Sequence, residues 1–103
     1  MANRVALVTG GSRGIGRAIS LELAAAGFAV AVNYIGRRDA ALEVLGAIER
    51  CGGTAAILQA DVSDSAAVEK MFRAVDERFG RLDALVNNAG IGRRIDAITA
   101  IDD

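Results

Sequence analysis

The sequence predicts an α/β protein built on a doubly wound parallel sheet, and three observations lead to this prediction. Short, continuous apolar runs of the kind found in strands buried on both faces alternate with amphipathic segments of helical spacing. A helical segment separates each run from the next, and such crossovers favour parallel pairing. The 103 residues, 52% of them apolar, fit one domain with a single core.

The first predicted unit is a strand, a turn and a helix. The run Val5-Ala6-Leu7-Val8 is followed at once by glycines, which indicates a buried strand that ends there. Apolar residues then recur at helical spacing, and Gly27 stands where a left-handed residue would end the helix. These apolar positions are Ile15, Ala18, Ile19, Leu23 and Ala26.

The same unit then repeats along the chain. Residues 28–32 and 54–58 predict the second and third strands, and residues 82–86 predict a fourth. The second helix ends near Gly52 and Gly53, and its apolar face holds Ala41, Val44, Leu45 and Ile48. The third begins at a cap of Ser63 or Asp64 and ends before Gly80, with Val68, Met71, Phe72, Val75 and Phe79 as its core face.

Four strands connected in this way are expected in the order 3-2-1-4. That order places a ligand crevice between strands 1 and 4 at their carboxyl ends. It also leaves strand 4 as an unpaired edge that could associate with another chain.

Composition excludes several classes of function. Twelve basic and 13 acidic residues are scattered along the chain for a net charge of −1, which disfavours a nucleic-acid partner. Cys51 is the sole cysteine and there is no histidine, so an intrachain disulfide and a Cys/His metal site are excluded. The first apolar run is too short for a signal peptide or a membrane span. We therefore expect a protein of the reducing cytoplasm with no membrane partner, and we assign Cys51 no function.

Residues 9–16, TGGSRGIG, join the first strand to the first helix and form the main functional motif. Glycines permit a tight turn and close backbone approach to a pyrophosphate, which the free N–H groups of the helix start would bind. The alternative is an ordinary strand-to-helix turn. The general GxGxxG fingerprint gives no support, because the glycines fall at positions 10, 11, 14 and 16.

TGGSRGIG resembles the TGxxxGxG signature of the short-chain dehydrogenase/reductase family. Asn87-Asn88-Ala89-Gly90 is similar to the family's NNAG motif, and Asp61-Val62 is similar to its adenine-contacting pair. The resemblance spans nearly the whole chain and implies that residues 1–103 are the N-terminal part of a Rossmann-type NADP(H)-binding domain. SRGIGRAI and the VNY of strand 2 most resemble the 3-oxoacyl-thioester (acyl-carrier-protein) reductases.

The coenzyme-binding residues implied by the motifs and their surroundings fall into four groups. They are Gly10, Ser12, Arg13, Gly14, Ile15 and Gly16 in the loop, Asn33, Tyr34 and Arg37 after strand 2, Asp61 and Val62 after strand 3, and Asn88, Ala89 and Gly90 after strand 4. Asp61 could instead cap the following helix.

Strand 2 predicts the choice of coenzyme. NAD-specific proteins place an acidic residue at the end of this strand, where the sequence has Asn33. Arg13, together with Arg37 or Arg38, could pair with a 2′-phosphate, although the two adjacent arginines could equally be a solvated pair. The sequence thus favours NADP(H) over NAD(H), and Asn33→Asp is expected to shift the preference towards NAD(H).

None of the family's catalytic residues can be carried over to this chain. The family uses a tyrosine, a lysine four residues later, a serine and an asparagine from a later helix, so Asn88 is not that asparagine. Tyr34 is the only tyrosine and is followed four residues later by Arg38, and the only lysine is Lys70. The chain alone is therefore predicted to be inactive.

The resemblance implies a longer enzyme that interconverts a small-molecule ketone and a secondary alcohol, as a homotetramer. This chain would be its front part, or alternatively a complete short product. Two other functions remain open: a non-catalytic module that senses dinucleotides, and a truncated product that acts through edge-strand association.

Overall fold

The computed structural model describes residues 4–88 and the backbone of residues 98–100. Its elements confirm the predicted alternation of strands and helices. In chain order they are β1 (Val5–Val8), α1 (Gly14–Ala25), β2 (Ala29–Tyr34), α2 (Arg38–Arg50), β3 (Ala55–Gln59), α3 (Ser65–Phe79), β4 (Ala84–Val86) and β5 (Ile98–Ala100).

The strands form one sheet in the order β3-β2-β1-β4-β5. The first four are parallel, and Leu7 of β1 lies opposite Ala31 of β2 on one side and Leu85 of β4 on the other. The predicted 3-2-1-4 order is therefore confirmed. Strand order reverses between β1 and β4, so the loops that follow these strands meet at one edge of the sheet.

The predicted set of four parallel strands and three helices is confirmed, but the expectation that β4 is an unpaired edge is wrong. β5 pairs with β4 in an antiparallel arrangement, and Leu85 lies opposite Thr99. The sequence pattern missed β5 because an antiparallel strand breaks the repeat of strand and crossover helix.

The two faces of the sheet carry separate apolar layers. Val8, Val30 and Val32 pack under α1 and α2, with Val44 and Ile48 as the buried side chains of α2. Val5, Leu7 and Ala31 point to the other face, where Met71 and Val75 of α3 cover them together with Phe72 and Phe79. Each buried aliphatic side chain contributes about 1.5–3 kcal/mol. These layers hold the carboxyl ends of the strands in fixed relative positions.

The helix ends follow the sequence signals. Gly27 (φ 100°) follows α1 and Gly80 (φ 76°) follows α3, both in the left-handed region. Of the proposed caps for α3, Asp64 is the one used, because its carboxylate accepts the N–H groups of Ala66 and Ala67. Among the described residues, no helix combines the length and apolarity that crossing a membrane requires.

Candidate dinucleotide-binding site

The glycine loop folds onto the start of α1 more closely than any side chain would allow. A Cβ built on Gly16 would collide with the carbonyl oxygen of Gly10 and lie 2.6 Å from Nδ2 of Asn88. Gly10 (φ 62°) and Gly14 (φ 56°) adopt the left-handed backbone conformation. Only glycine at position 16 is compatible with this contact between loop and helix.

Ser20 fastens the loop to the helix from inside, and the sequence reasoning missed it. Its buried hydroxyl lies 2.9 Å from the carbonyl oxygen of Gly16 and 3.2 Å from that of Gly11. The only signal in the sequence was a serine one helical turn after Gly16, and serine at such a position is usually solvated or bonds only its own helix.

The start of α1 carries no side-chain cap. Arg13 occupies the N-cap position without a capping hydrogen bond, and no acidic residue lies in the first turn. At α3, by contrast, the Asp64 carboxylate fills this role. The N–H groups and the positive end of the α1 dipole are therefore open to an anion.

Thr9 and Asn88 tie the loop to the end of β4. The Thr9 hydroxyl accepts the N–H of Asn88 at 2.8 Å, and Nδ2 of Asn88 donates to the carbonyl oxygen of Gly10 at 3.2 Å. The Thr9 oxygen also lies 3.3 Å from Oδ1 of Asn87. Asn88 thus supports the loop, a role that differs from the coenzyme contact implied by the resemblance. Ala89 and Gly90 lie outside the described residues.

Asn33 lies beneath the loop and is only 2% exposed, although it contributes to the wall of the adjoining cavity. Its side chain is buried, with Oδ1 accepting the N–H of Gly10 at 3.1 Å and Nδ2 bonded to the carbonyl oxygens of Leu58 and Ala60. This differs from the sequence expectation, which put Asn33 where the coenzyme ribose would bind. The difference arises because the side chain turns inward at the end of β2.

A cavity of about 280 Å³ opens between the glycine loop and the segment after β3. It is lined by Gly10, Asn33, Ile35, Ala60, Asp61, Val62 and Ser63. Ile35, which is 60% exposed, was not predicted as a site residue, and the only signal was an apolar residue just past the strand. The loop and the Asp61-Val62 pair therefore face one shared space.

Asp61 forms a tight turn at the wall of this cavity. Its Oδ1 accepts the Ser63 hydroxyl at 2.7 Å and the Ser63 N–H at 2.9 Å. These hydrogen bonds hold the pKa of the Asp61 carboxyl below its usual range, so the group is ionised at neutral pH. The alternative role of Asp61 as the cap of α3 is excluded, since Asp64 fills that position.

The two arginines after β2 are held differently. Arg37 forms a two-pronged ion pair with Asp39, with both N···O distances 3.1 Å, at an exposed position. This pair raises the pKa of Arg37 and lowers the pKa of Asp39. Arg38 donates through Nη1 to the hydroxyl of the buried Tyr34 at 3.1 Å. Arg13 is exposed and pairs with no carboxylate in the described part of the chain.

The geometry suits a dinucleotide better than a metal ion. An open helix start, a glycine loop in close contact with it and an adjoining cavity match what a diphosphate and a flat base require. Within residues 4–88, no group of three or more His, Cys, Asp or Glu side chains could hold a metal ion.

The parallel sheet and the glycine loop that opens α1 define this protein as one with a Rossmann-type fold. Residues 4–103 match the model of the short chain dehydrogenase family. The chain therefore belongs to that family.

Three similar proteins give a finer comparison. The chain is 58% identical over 87 residues to the uncharacterized oxidoreductase YgfF of Escherichia coli, covering 84% of this chain and 35% of YgfF. It is 51% identical over 88 residues to the 3-oxoacyl-[acyl-carrier-protein] reductase FabG of Staphylococcus aureus, covering 85% of this chain and 36% of FabG. It is 48% identical over 93 residues to the short-chain dehydrogenase/reductase homolog YusS of Bacillus subtilis, covering 90% of this chain and 85% of YusS.

Solved structures agree with this placement. A dehydrogenase/reductase from Sinorhizobium meliloti superimposes with a TM-score of 0.84 at 47% identity, over 88% of this chain and 36% of that one. A Burkholderia cenocepacia dehydrogenase with bound NADP superimposes with a TM-score of 0.79 at 38% identity, over 84% of this chain and 34% of that one. The chain thus spans about a third of the length of most of these proteins and most of the length of YusS.

Proposed function

We propose that this chain binds NADP(H) as the coenzyme-binding part of an oxidoreductase that interconverts a ketone and a secondary alcohol. The observation that carries the proposal is the uncapped start of α1, with Arg13 beside it and a glycine loop folded against it. An anion placed there would meet unpaired N–H groups, the positive end of the helix dipole and a guanidinium.

Each part of the site has a role in this proposal. The N–H groups from Gly14 to Gly16 bind the diphosphate, while Gly10, Ser12 and Ile15 shape the loop around it. Arg13 binds the 2′-phosphate, with Arg37 as a second cation beyond the end of β2. Asp61 and Val62 hold the adenine in the cavity of about 280 Å³. The bound coenzyme supplies or accepts the hydride.

The proposed substrate is a 3-oxoacyl thioester, supported by the 51% identity to FabG, whose name states that activity. We further propose that the complete protein is a cytoplasmic homotetramer. A tyrosine followed four residues later by a lysine, encoded after Asp103, would support the enzyme. The mass of the complete protein in solution would test the tetramer.

A second candidate is a non-catalytic module that binds the dinucleotide without turning over a substrate. YusS motivates this candidate, because the 93 aligned residues make up 85% of that relative, which is therefore itself a short protein. Coenzyme binding without carbonyl reduction in the complete protein would support this reading over the enzyme.

Calorimetric titration of the 103-residue chain with NADP⁺ and NAD⁺ tests the proposal. We expect saturable binding of both, with NADP⁺ tighter. Gly16→Ala should abolish it, because the new Cβ would collide with the carbonyl oxygen of Gly10. Gly46→Ala is the matched control: its Cβ would meet only the flexible end of Arg50 at 3.2 Å, and alanine should stabilise α2 by about 1 kcal/mol. Absence of binding, or tighter binding of NAD⁺, would refute the proposal.

A further inference from the structure

The Asn33 side chain joins three segments that surround the proposed coenzyme site. Asn33 lies near the end of β2, and its partners come from the glycine loop and from the end of β3. The glycine loop provides the proposed diphosphate site, and the segment that begins at Ala60 provides the proposed adenine cavity.

The hydrogen bonds of Asn33 use both ends of its amide. Oδ1 accepts the N–H of Gly10 at 3.1 Å, while Nδ2 donates to the carbonyl oxygens of Leu58 at 3.2 Å and Ala60 at 3.1 Å. The main-chain oxygen of Asn33 accepts the N–H of Gly11 at 2.9 Å. With the residue only 2% exposed, water cannot replace these bonds.

This arrangement requires a hydrogen-bond acceptor at the Oδ1 position of the side chain and an N–H donor group at the Nδ2 position. An ionised aspartate has the same shape but only acceptors. Its second oxygen would face the carbonyl oxygens of Tyr34, Leu58 and Ala60, and its charge would be buried without a partner. An acidic residue at position 33 would therefore disrupt the loop before it could touch a ribose.

We propose that Asn33 is a positioning residue that sets the spacing between the diphosphate loop and the adenine cavity, and that it does not discriminate between NADP(H) and NAD(H). The inference deepens the proposed function and rests on it. It replaces the sequence expectation that Asn33→Asp shifts the preference towards NAD(H).

The test compares the affinities of Asn33→Asp and wild-type chains for NADP⁺ and NAD⁺ at about pH 8. Losing hydrogen bonds of this kind should lower the affinity for both coenzymes by about tenfold or more and to a similar extent. The ratio of the two affinities should stay within about twofold of the wild type, because no coenzyme-specific contact is lost. A selective gain for NAD⁺, or unchanged binding, would overturn the inference.

A pH series separates positioning from general damage to the fold. The introduced carboxyl would face main-chain groups of Gly10, Tyr34, Leu58 and Ala60. Burial beside carbonyl oxygens should raise its pKa, so near pH 5.5 it should be protonated and regain one donor. Asp61, the titratable residue in the cavity wall, has a lowered pKa and stays ionised over this range. Affinity relative to wild type at the same pH should recover as the pH falls, and no recovery would contradict the mechanism.

Val30→Ala is the control for lost stability, because Val30 is fully buried on β2 at the end far from the loop. It should lower the melting temperature and leave both affinities unchanged. If Asn33→Asp does not fold, Asn33→Ser should show the same equal loss of both coenzymes without the pH dependence. Binding of neither coenzyme by the wild type would instead refute the proposed function, and this inference would fall with it.

Discussion

At the scale of the residue, we propose Arg13 as the cation that recognises a 2′-phosphate. It is exposed at the N-cap of α1, and no carboxylate among the described residues pairs with it. We expect Arg13→Ala to weaken NADP⁺ by about tenfold or more and NAD⁺ much less, since a charge-assisted hydrogen bond contributes about 1.5–3 kcal/mol. Titration calorimetry measures both. Arg17→Ala is the control: it removes an exposed arginine one turn further along α1 and should change the affinity for neither coenzyme. If Arg13→Ala weakened the binding of both coenzymes equally, Arg13 would have no role in recognising the 2′-phosphate.

Asp39 would compete with the 2′-phosphate of the proposed coenzyme for Arg37. Its carboxylate binds the Arg37 guanidinium through two hydrogen bonds of 3.1 Å, and its negative charge would repel a 2′-phosphate nearby. Asp39→Asn should therefore tighten NADP⁺ by about two- to fivefold, an effect limited by the exposure of the pair, and change NAD⁺ less. Fluorescence titration with both reduced coenzymes measures the ratio.

Asp76→Asn makes the same change of charge at an exposed position on α3 and should leave that ratio unchanged. If Asp39→Asn also leaves it unchanged, Arg37 takes no part in recognising the phosphate.

At the scale of the element, Asp83 fastens β4 to β1 at the end of the sheet opposite the site. Its Oδ2 accepts the N–H of Val5 at 2.8 Å, and the Arg81 guanidinium binds both carboxylate oxygens. Hydrogen bonds from Arg81 and then from Val5 hold the pKa of Asp83 below the ordinary 3.8. The ionised carboxylate therefore stabilises the fold above the ordinary pKa, and this contribution is lost as the pH falls through the lower pKa of the folded state.

Asp83→Asn should consequently lower the melting temperature at pH 7, and the difference from wild type should shrink below about pH 4. Thermal unfolding followed by circular dichroism from pH 3 to pH 7 measures this difference. Glu77→Gln, at an exposed position on α3, should show a small difference at every pH. A deficit for Asp83→Asn that is constant with pH would mean that ionisation of Asp83 does not stabilise the fold.

Sequence patterns predicted the elements because their signals are local. The apolar run of β1 spans four consecutive residues, Val5–Val8, and the apolar spacing of α3 is contained in 15 residues. The strand order follows from the crossover rules. The inward turn of Asn33 could not be predicted in this way, because its partners Gly10 and Ala60 lie 23 and 27 positions away. The glycine motif located the loop, but not the side chains of Ser20 and Asn33 that support it from beneath.

At the scale of the whole molecule, the proposed coenzyme would touch loops that follow three different strands. The glycine loop follows β1, Ile35 follows β2, and the turn at Asp61 follows β3. A ligand that binds all three only in the folded chain stabilises the sheet as a unit, by an amount that depends on its concentration relative to its Kd.

NADP⁺ at about 100 times its Kd should therefore add about 2.7 kcal/mol to the free energy of unfolding. For a domain of this size, that corresponds to a rise in melting temperature of roughly 10–20 °C. 2′-Phospho-ADP-ribose should reproduce most of the shift, because its diphosphate and adenine are the parts that we propose bind the α1 start and the Asp61 cavity. Nicotinamide mononucleotide at the same concentration should raise the melting temperature only slightly. Differential scanning calorimetry measures all three shifts. If nicotinamide mononucleotide raised the melting temperature more than 2′-phospho-ADP-ribose does, most of the binding energy would lie outside the adenosine half of the site.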